Sequence, residues 1–270
     1  MEAGFDVALV VSQPDRRRGR GGATAPSPVK AAALELGLPV TDRTADVIGA
    51  GAELGVVVAY GRLIKPPVLA VLPFVNLHFS LLPRWRGAAP VERALLAGDV
   101  ETGVCLMQLE AGLDTGPVFA REVVPVGDDQ TADELRAQLV AVGSGLLVAQ
   151  LTGGLGEPVA QVGQVTHAAK IDPAELELRW DRDAEQLHRL VRLGRAWTTF
   201  RSRRLKVLRA APAPVRPPGA PGSLGEDGVT VAAGAGALRL LEVQPEGRPA
   251  QPADAWRNGA RPGPADRLGS

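Results

Sequence analysis

The chain has a single cysteine, Cys105, among 270 residues, so no disulfide can close within it. Cys105 lies in the apolar run Gly103 to Leu109 and reads as a buried, inert thiol rather than a nucleophile. No stretch of about 18 consecutive apolar residues is present, which argues against a membrane span. The first residues also lack the basic start and apolar core of a secretory signal, so a cytoplasmic protein with no membrane partner is expected. Net charge is +0, which excludes a molecule that is basic all over and grips polyanions indiscriminately. Histidine is scarce: His78, His167 and His188 stand in no HExxH or CxxC pattern, and no metal site is expected. Gly19-Arg20-Gly21-Gly22 has the spacing of neither a P-loop nor a dinucleotide fingerprint. Ser80 lacks the G-x-S-x-G elbow of a hydrolase nucleophile, so nothing calls for covalent catalysis.

What is present is enough apolar material, 45% of the chain, for a core larger than one compact α/β domain needs. Residues 5–12 read as a buried strand, followed by a basic loop from Gln13 to Gly22. Ser27 and Pro28 open a helix that Gly37 closes, and 55–60 is a second buried strand. A strand at 75–79, a helix from Pro90 to Ala97, strands at 103–109 and 117–126 and a helix from Thr131 to about Thr152 follow. This alternation predicts an α/β fold: a Rossmann-like, largely parallel sheet flanked by helices over residues 1–153. After a linker at 154–172, short strands near 198–200, 205–210, 229–232 and 237–243 predict a smaller OB-like β-barrel over 173–270. Beyond Pro245 the Pro, Gly, Ala and Arg content predicts a poorly ordered tail.

The chemistry concentrates in Phe74-Val75-Asn76-Leu77-His78-Phe79-Ser80-Leu81-Leu82-Pro83. Strand side chains alternate faces, so Asn76, His78 and Ser80 point one way and Val75, Leu77 and Phe79 the other. A covered parallel sheet is normally apolar on both faces. A polar face at the end of such a strand fits a ligand crevice at the sheet's carboxyl edge. An imidazole supplies acid or base near neutral pH, and a carboxamide supplies a donor to a developing oxyanion. Asp114, in the Gly-bounded turn Glu110 to Gly116, is the carboxylate best placed to orient the imidazole. The competing reading of His78 is a core histidine satisfied by a backbone carbonyl. Elsewhere, the stretch from Glu185 to Glu226 has no acidic residue between its ends but many arginines, which suggests a partner with phosphates or a solvated basic surface.

Asn76 through Pro90, with its Arg84-Trp85-Arg86-Gly87-Ala88-Ala89-Pro90 ending, and Gly112-Leu113-Asp114-Thr115-Gly116 together resemble the methionyl-tRNA formyltransferase family of folate-dependent formyltransferases. Gln13 to Gly21, Pro26 to Lys30 and Leu240 to Pro245 extend the resemblance over nearly the whole chain. The resemblance implies formyl transfer from 10-formyltetrahydrofolate to the α-amine of methionyl initiator tRNA by a monomer, with Asn76, His78 and Asp114 catalytic. Ser80, Leu81, Leu82 and Pro83 would contact the folate, with Tyr60, Gly61, Gly112 and Leu113 lining its pterin pocket. Arg20, supported by Arg16, Arg17 and Arg18, would meet the acceptor stem, and Arg201, Arg203, Arg204 and Lys206 the tRNA body through phosphates. The family places one βα unit of roughly 30 residues before the part matching Glu2 to Val7, its strand central beside that of Asn76 and His78, so a shortened chain is expected. The alternatives are another folate-dependent formyltransferase or hydrolase, a noncatalytic tRNA binder and an inactive shortened homologue.

Overall fold

The computed structural model describes residues 3–18, 23–263 and 265–270. Its first elements are β1 (Val10–Val11), β2 (Arg16–Arg18), β3 (Ala23–Ala25), α1 (Pro28–Glu35), β4 (Val40–Thr41), β5 (Gly55–Val58), α2 (Pro66–Leu69), β6 (Phe74–His78) and β7 (Arg86–Gly87). Then come α3 (Pro90–Ala97), β8 (Glu101–Gln108), β9 (Val118–Pro125), α4 (Ala132–Gly153), β10 (His167–Ala168) and α5 (Ala184–Val191). The last are β11 (Trp197–Phe200), β12 (Arg203–Pro212), β13 (Thr230–Ala232), β14 (Ala237–Pro245), β15 (Gln251–Pro252) and α6 (Ala253–Ala260). Helix starts follow local chemistry. The Ser27 side chain accepts the Lys30 N–H at the head of α1, and Thr131 and Glu134 cap α4 reciprocally. Gly98 ends α3 in the left-handed conformation.

Two units result, one of Met1–Ala88, Gly103–Glu122 and Ala141–Thr166, the other of Ala89–Thr102, Val123–Val140 and His167–Ser270. In the first, β1 pairs parallel with β4, and a four-stranded sheet runs β5-β6-β8-β9. β5 and β6 are parallel, with Val57 opposite Asn76, and β8 is antiparallel to β6, with Cys105 opposite His78. The β1–β4 pair and the four-stranded sheet are separate, and Val56 and Val58 on the edge strand β5 stay exposed. β6 itself is buried along its whole length. Phe74 packs on one face with Val68 and Leu72, while on the other Leu77 meets α4 at Gly143, where an added Cβ would lie 2.8 Å from a Leu77 methyl. α4 is the one described helix long and apolar enough to cross a membrane, yet Gly143 seats it on Leu77 and Val104 of the sheet.

The second unit is a curled antiparallel sheet, β11-β12-β14-β13 with β15 on β14. Register shifts in β12 between Val207 and Ala210 bend the strand, the role of a β-bulge in closing a small sheet. The expectation of a poorly ordered tail is corrected here. Trp256 on α6 is buried edge-on against Phe200, ring centroids 5.1 Å apart, and Leu268 is buried too. Two large apolar anchors hold a segment whose composition alone reads as loose.

Candidate active site

Alternation along β6 sets Asn76 and His78 on one face, and the turn after β8 carries Asp114 to them. The Asp114 Oδ2 lies 3.7 Å from His78 Nδ1 and accepts the Gly87 N–H at 2.8 Å. Its Oδ1 takes a long, 3.5 Å contact from the Asn76 amide. All three side chains are buried. A carboxylate so enclosed is expensive unless its oxygens are matched, and here the amide groups of Gly87 and Asn76 and the imidazole match them. Asp114 holds a left-handed backbone, φ 51°, and the turn closes because Gly116 leaves room where any Cβ would strike the Gln108 carbonyl oxygen.

The second nitrogen of His78, Nε2, lies 2.8 Å from the Trp85 carbonyl oxygen. The carbonyl-satisfied reading of this histidine therefore describes one edge of the ring, and the Asp114 carboxylate faces the other. Nε2 is within hydrogen-bond distance of the Trp85 carbonyl, and Nδ1 faces the Asp114 carboxylate at 3.7 Å. The structure brings together the three side chains named from the sequence and adds the Trp85 carbonyl and the Gly87 amide, which sequence reasoning missed. Backbone groups carry no side-chain signature, and Trp85 sits at φ 63° in a loop the sequence does not shape by itself.

Chain continuity places Ser80 to Pro83 directly after this cluster and Gly112 and Leu113 directly before Asp114. Parallel pairing of β5 and β6 puts Tyr60 and Gly61 beyond the same end of the sheet. Ser80 is fully buried and donates to the Arg84 carbonyl at 2.6 Å. Leu82 belongs to a core cluster with Cys105, Met107 and Val118, so its side chain supports the loop from below. Cys105 is fully enclosed and burial pushes its thiol up, in line with an inert role. Tyr60 is held by its hydroxyl to Thr44 at 2.9 Å and by its carbonyl to Gln13, while Gly61, Gly112 and Leu113 are exposed.

Residues 2–151 match the formyl transferase family model, and 170–261 match that of the formyl transferase C-terminal domain. A methionyl-tRNA formyltransferase of Symbiobacterium thermophilum is 44% identical over 282 residues, covering 96% of this chain and 86% of that protein. The chain belongs to the methionyl-tRNA formyltransferase family. Among solved structures, the methionyl-tRNA formyltransferase of Clostridium thermocellum superposes with a TM-score of 0.54 at 19% identity, covering 67% of this chain and 86% of that one. HypX of Aquifex aeolicus, solved with tetrahydrofolic acid, gives 0.62 at 16% identity over 83% of this chain and 43% of that one. Both likenesses are of fold.

For a member of this transferase family the disposition of the basic residues matters next, and the structure divides them. Arg16 and Arg17 are exposed on the β2–β3 hairpin, whereas Arg20 and the side chain of Arg18 lie outside the described residues. On β12, Arg203, Arg204 and Lys206 point outward while Leu205 and Val207 point in, and the Arg204 guanidinium stacks 4.2 Å over the Trp197 ring. Arg201 is committed to Asp266 at 2.6 Å and to the Ala260 carbonyl, and it holds the Asp266 carboxyl down at about 2. The basic stripe read from the sequence is thus not all surface. Arg192 is buried, donating to the Gly127 and Gln130 carbonyls, and Arg189 bonds the Ala97 carbonyl at the end of α3.

Proposed function

We propose that this chain moves the formyl group of 10-formyltetrahydrofolate to the α-amine of methionine esterified to initiator tRNA, using Asn76, His78 and Asp114. The observation that carries this reading is the Asp114 carboxylate facing His78 and Asn76 on one buried strand face. The amine nitrogen attacks the formyl carbon, forming the new C–N bond and leaving a tetrahedral oxyanion. The Asn76 amide and the protonated His78 stabilise that charge. Asp114 stabilises the imidazolium and, through water, takes the amine proton; cleavage of the bond to folate N10 then returns the proton to N10. The products are formyl-methionyl-tRNA and tetrahydrofolate.

Ser80 to Pro83, Tyr60, Gly61, Gly112 and Leu113 would receive the folate, a ligand class supported by the family and by the tetrahydrofolic acid of HypX. Phosphates of the tRNA would meet Arg203, Arg204 and Lys206 on β12, with Arg16, Arg17, Arg18 and Arg20 reaching the acceptor stem. Arg201, already paired with Asp266, would contribute least of the set. The work of such an enzyme is in the cytoplasm. The test offers one labelled donor, 10-formyltetrahydrofolate, in parallel to charged initiator tRNA, an amino sugar nucleotide and water alone. Label on the tRNA supports the reading; label on the sugar, or released as formate without tRNA, refutes it.

A further inference from the structure

The segment 154–166, read from sequence as part of a linker, lies along the first unit and bonds to both loops of the candidate site. Val159 pairs with Val118 through both backbone bonds. Thr166 accepts the Trp85 N–H on its hydroxyl and the Arg86 N–H on its carbonyl. Between them, the half-buried Gln161 makes a set of contacts that saturates a carboxamide. Its Nε2 donates to the carbonyls of Asp114 at 2.9 Å and Gly116 at 2.8 Å. Its Oε1 accepts from Arg86 Nε at 3.0 Å and Nη2 at 2.6 Å.

Two donors and two lone pairs are all that a carboxamide has, and each is used. Glutamate has no donors, arginine and lysine no acceptors, and asparagine is a carbon shorter. One arm of Gln161 holds the backbone of Asp114, which sits in a left-handed conformation that costs energy for any residue but glycine. The other arm holds Arg86, the neighbour of Gly87, whose N–H bonds the Asp114 carboxylate. Gln161 therefore ties the two pieces of chain whose separation fixes where Asp114 stands relative to His78.

We infer that Gln161 is a positioning residue for formyl transfer, setting the Asp114 carboxylate against His78 from the backbone side. The inference rests on the function proposed above. Its test compares Gln161→Met, which loses all four bonds at similar size, with Gln161→Glu, which keeps the Arg86 acceptor and loses both donors. For each, kcat, the KM for 10-formyltetrahydrofolate and thermal melting are measured with charged initiator tRNA as acceptor. Both variants should lose about 10- to 100-fold in kcat, the scale of an ångström of misplacement. KM should stay within about twofold, because the groups moved act on the transition state rather than on ground-state binding. Wild-type kcat in the Glu variant would overturn the inference, since the Arg86 arm alone would then suffice. So would a rise in KM and a fall in melting temperature in step with the loss of kcat, which mark a purely structural residue. His78→Ala, assayed alongside, separates the two claims: if it is inactive while both Gln161 variants are normal, only the positioning role fails. If His78→Ala remains active, the functional reading itself fails.

Discussion

Replacing Asp114 by Asn removes one charge and exchanges one oxygen for an NH2 group with almost no change of shape. The native Oδ2 serves two neighbours, the Gly87 N–H at 2.8 Å and His78 Nδ1 at 3.7 Å. An amide turned so that its oxygen keeps Gly87 brings its NH2 to the Asn76 amide, and turned the other way it sets NH2 against the Gly87 N–H. Either orientation leaves one mismatch, a stability cost of about 1 to 3 kcal/mol. The effect on rate is larger. Opposite unit charges 3.7 Å apart interact by about 4 kcal/mol at an effective dielectric of about 20. If the imidazolium in the transition state depends on that attraction, its loss lowers the rate about 1,000-fold, at ~1.4 kcal/mol per decade. Single-turnover formylation of charged initiator tRNA measures the rate, and folate binding and melting measured on the same sample show whether the variant is intact. A folded Asp114→Asn variant that binds folate and retains at least about a third of the wild-type rate would refute the reasoning, because no charge–charge term of this size could then be acting.

Trp256→Ala should cost about 3 to 5 kcal/mol of stability, as the loss of a buried tryptophan does, and lower the urea midpoint of the second unit while leaving folate binding unchanged. No change in midpoint would mean that the tail packs too weakly to matter. His188 supplies a pH dependence. Its burial holds it below the ordinary histidine value, outweighing the attraction of Asp129 at 3.2 Å and of Asp128, with Arg192 adding to the depression. The unfolded chain binds that proton near pH ~6.5 and the folded chain only at lower pH. This contribution to stability is therefore complete above the unfolded value and is lost as pH falls through the folded one. Urea midpoints taken downward from neutral pH should decline more steeply for wild type than for His188→Gln, and equal slopes would contradict the assignment.

How much of this was legible in the sequence depends on which physical signal carried it. Periodicity exposed β6 and its polar face, because a strand buried on both sides has no other reason to set Asn76 and His78 on one face. Capping chemistry placed α1, α3 and α4, since Ser27, Gly98 and the Thr131–Glu134 pair are local signals. Asp114 was found through the glycines around it, and Gly116 does prove to be a steric requirement. What stayed hidden was made of backbone and of distance. The Trp85 carbonyl on His78 is a backbone group that leaves no side-chain pattern, and the Gly87 amide on Asp114 and the two-armed Gln161 are joined by folding across tens of residues. Charge was misleading in the same way. Arg189 and Arg192 look like their neighbours Arg203 and Arg204 in sequence, but the first two bond carbonyls and the second two face outward. The tail was misjudged because composition averages over Trp256 and Leu268, the two residues that hold it.

The most direct test of the central claim is the formylation rate of the folded His78→Ala variant, measured with 10-formyltetrahydrofolate and charged methionyl initiator tRNA beside the wild-type chain. His78 bonds the site loop, through the Trp85 carbonyl, and faces the Asp114 carboxylate. The rate should fall at least about 100-fold, the scale for losing an acid–base or oxyanion-stabilising group, while the chain still folds at a stability cost of about 1 to 3 kcal/mol for the Trp85 carbonyl left without its partner. A folded His78→Ala protein that still formylates the tRNA at a near-normal rate would contradict the account.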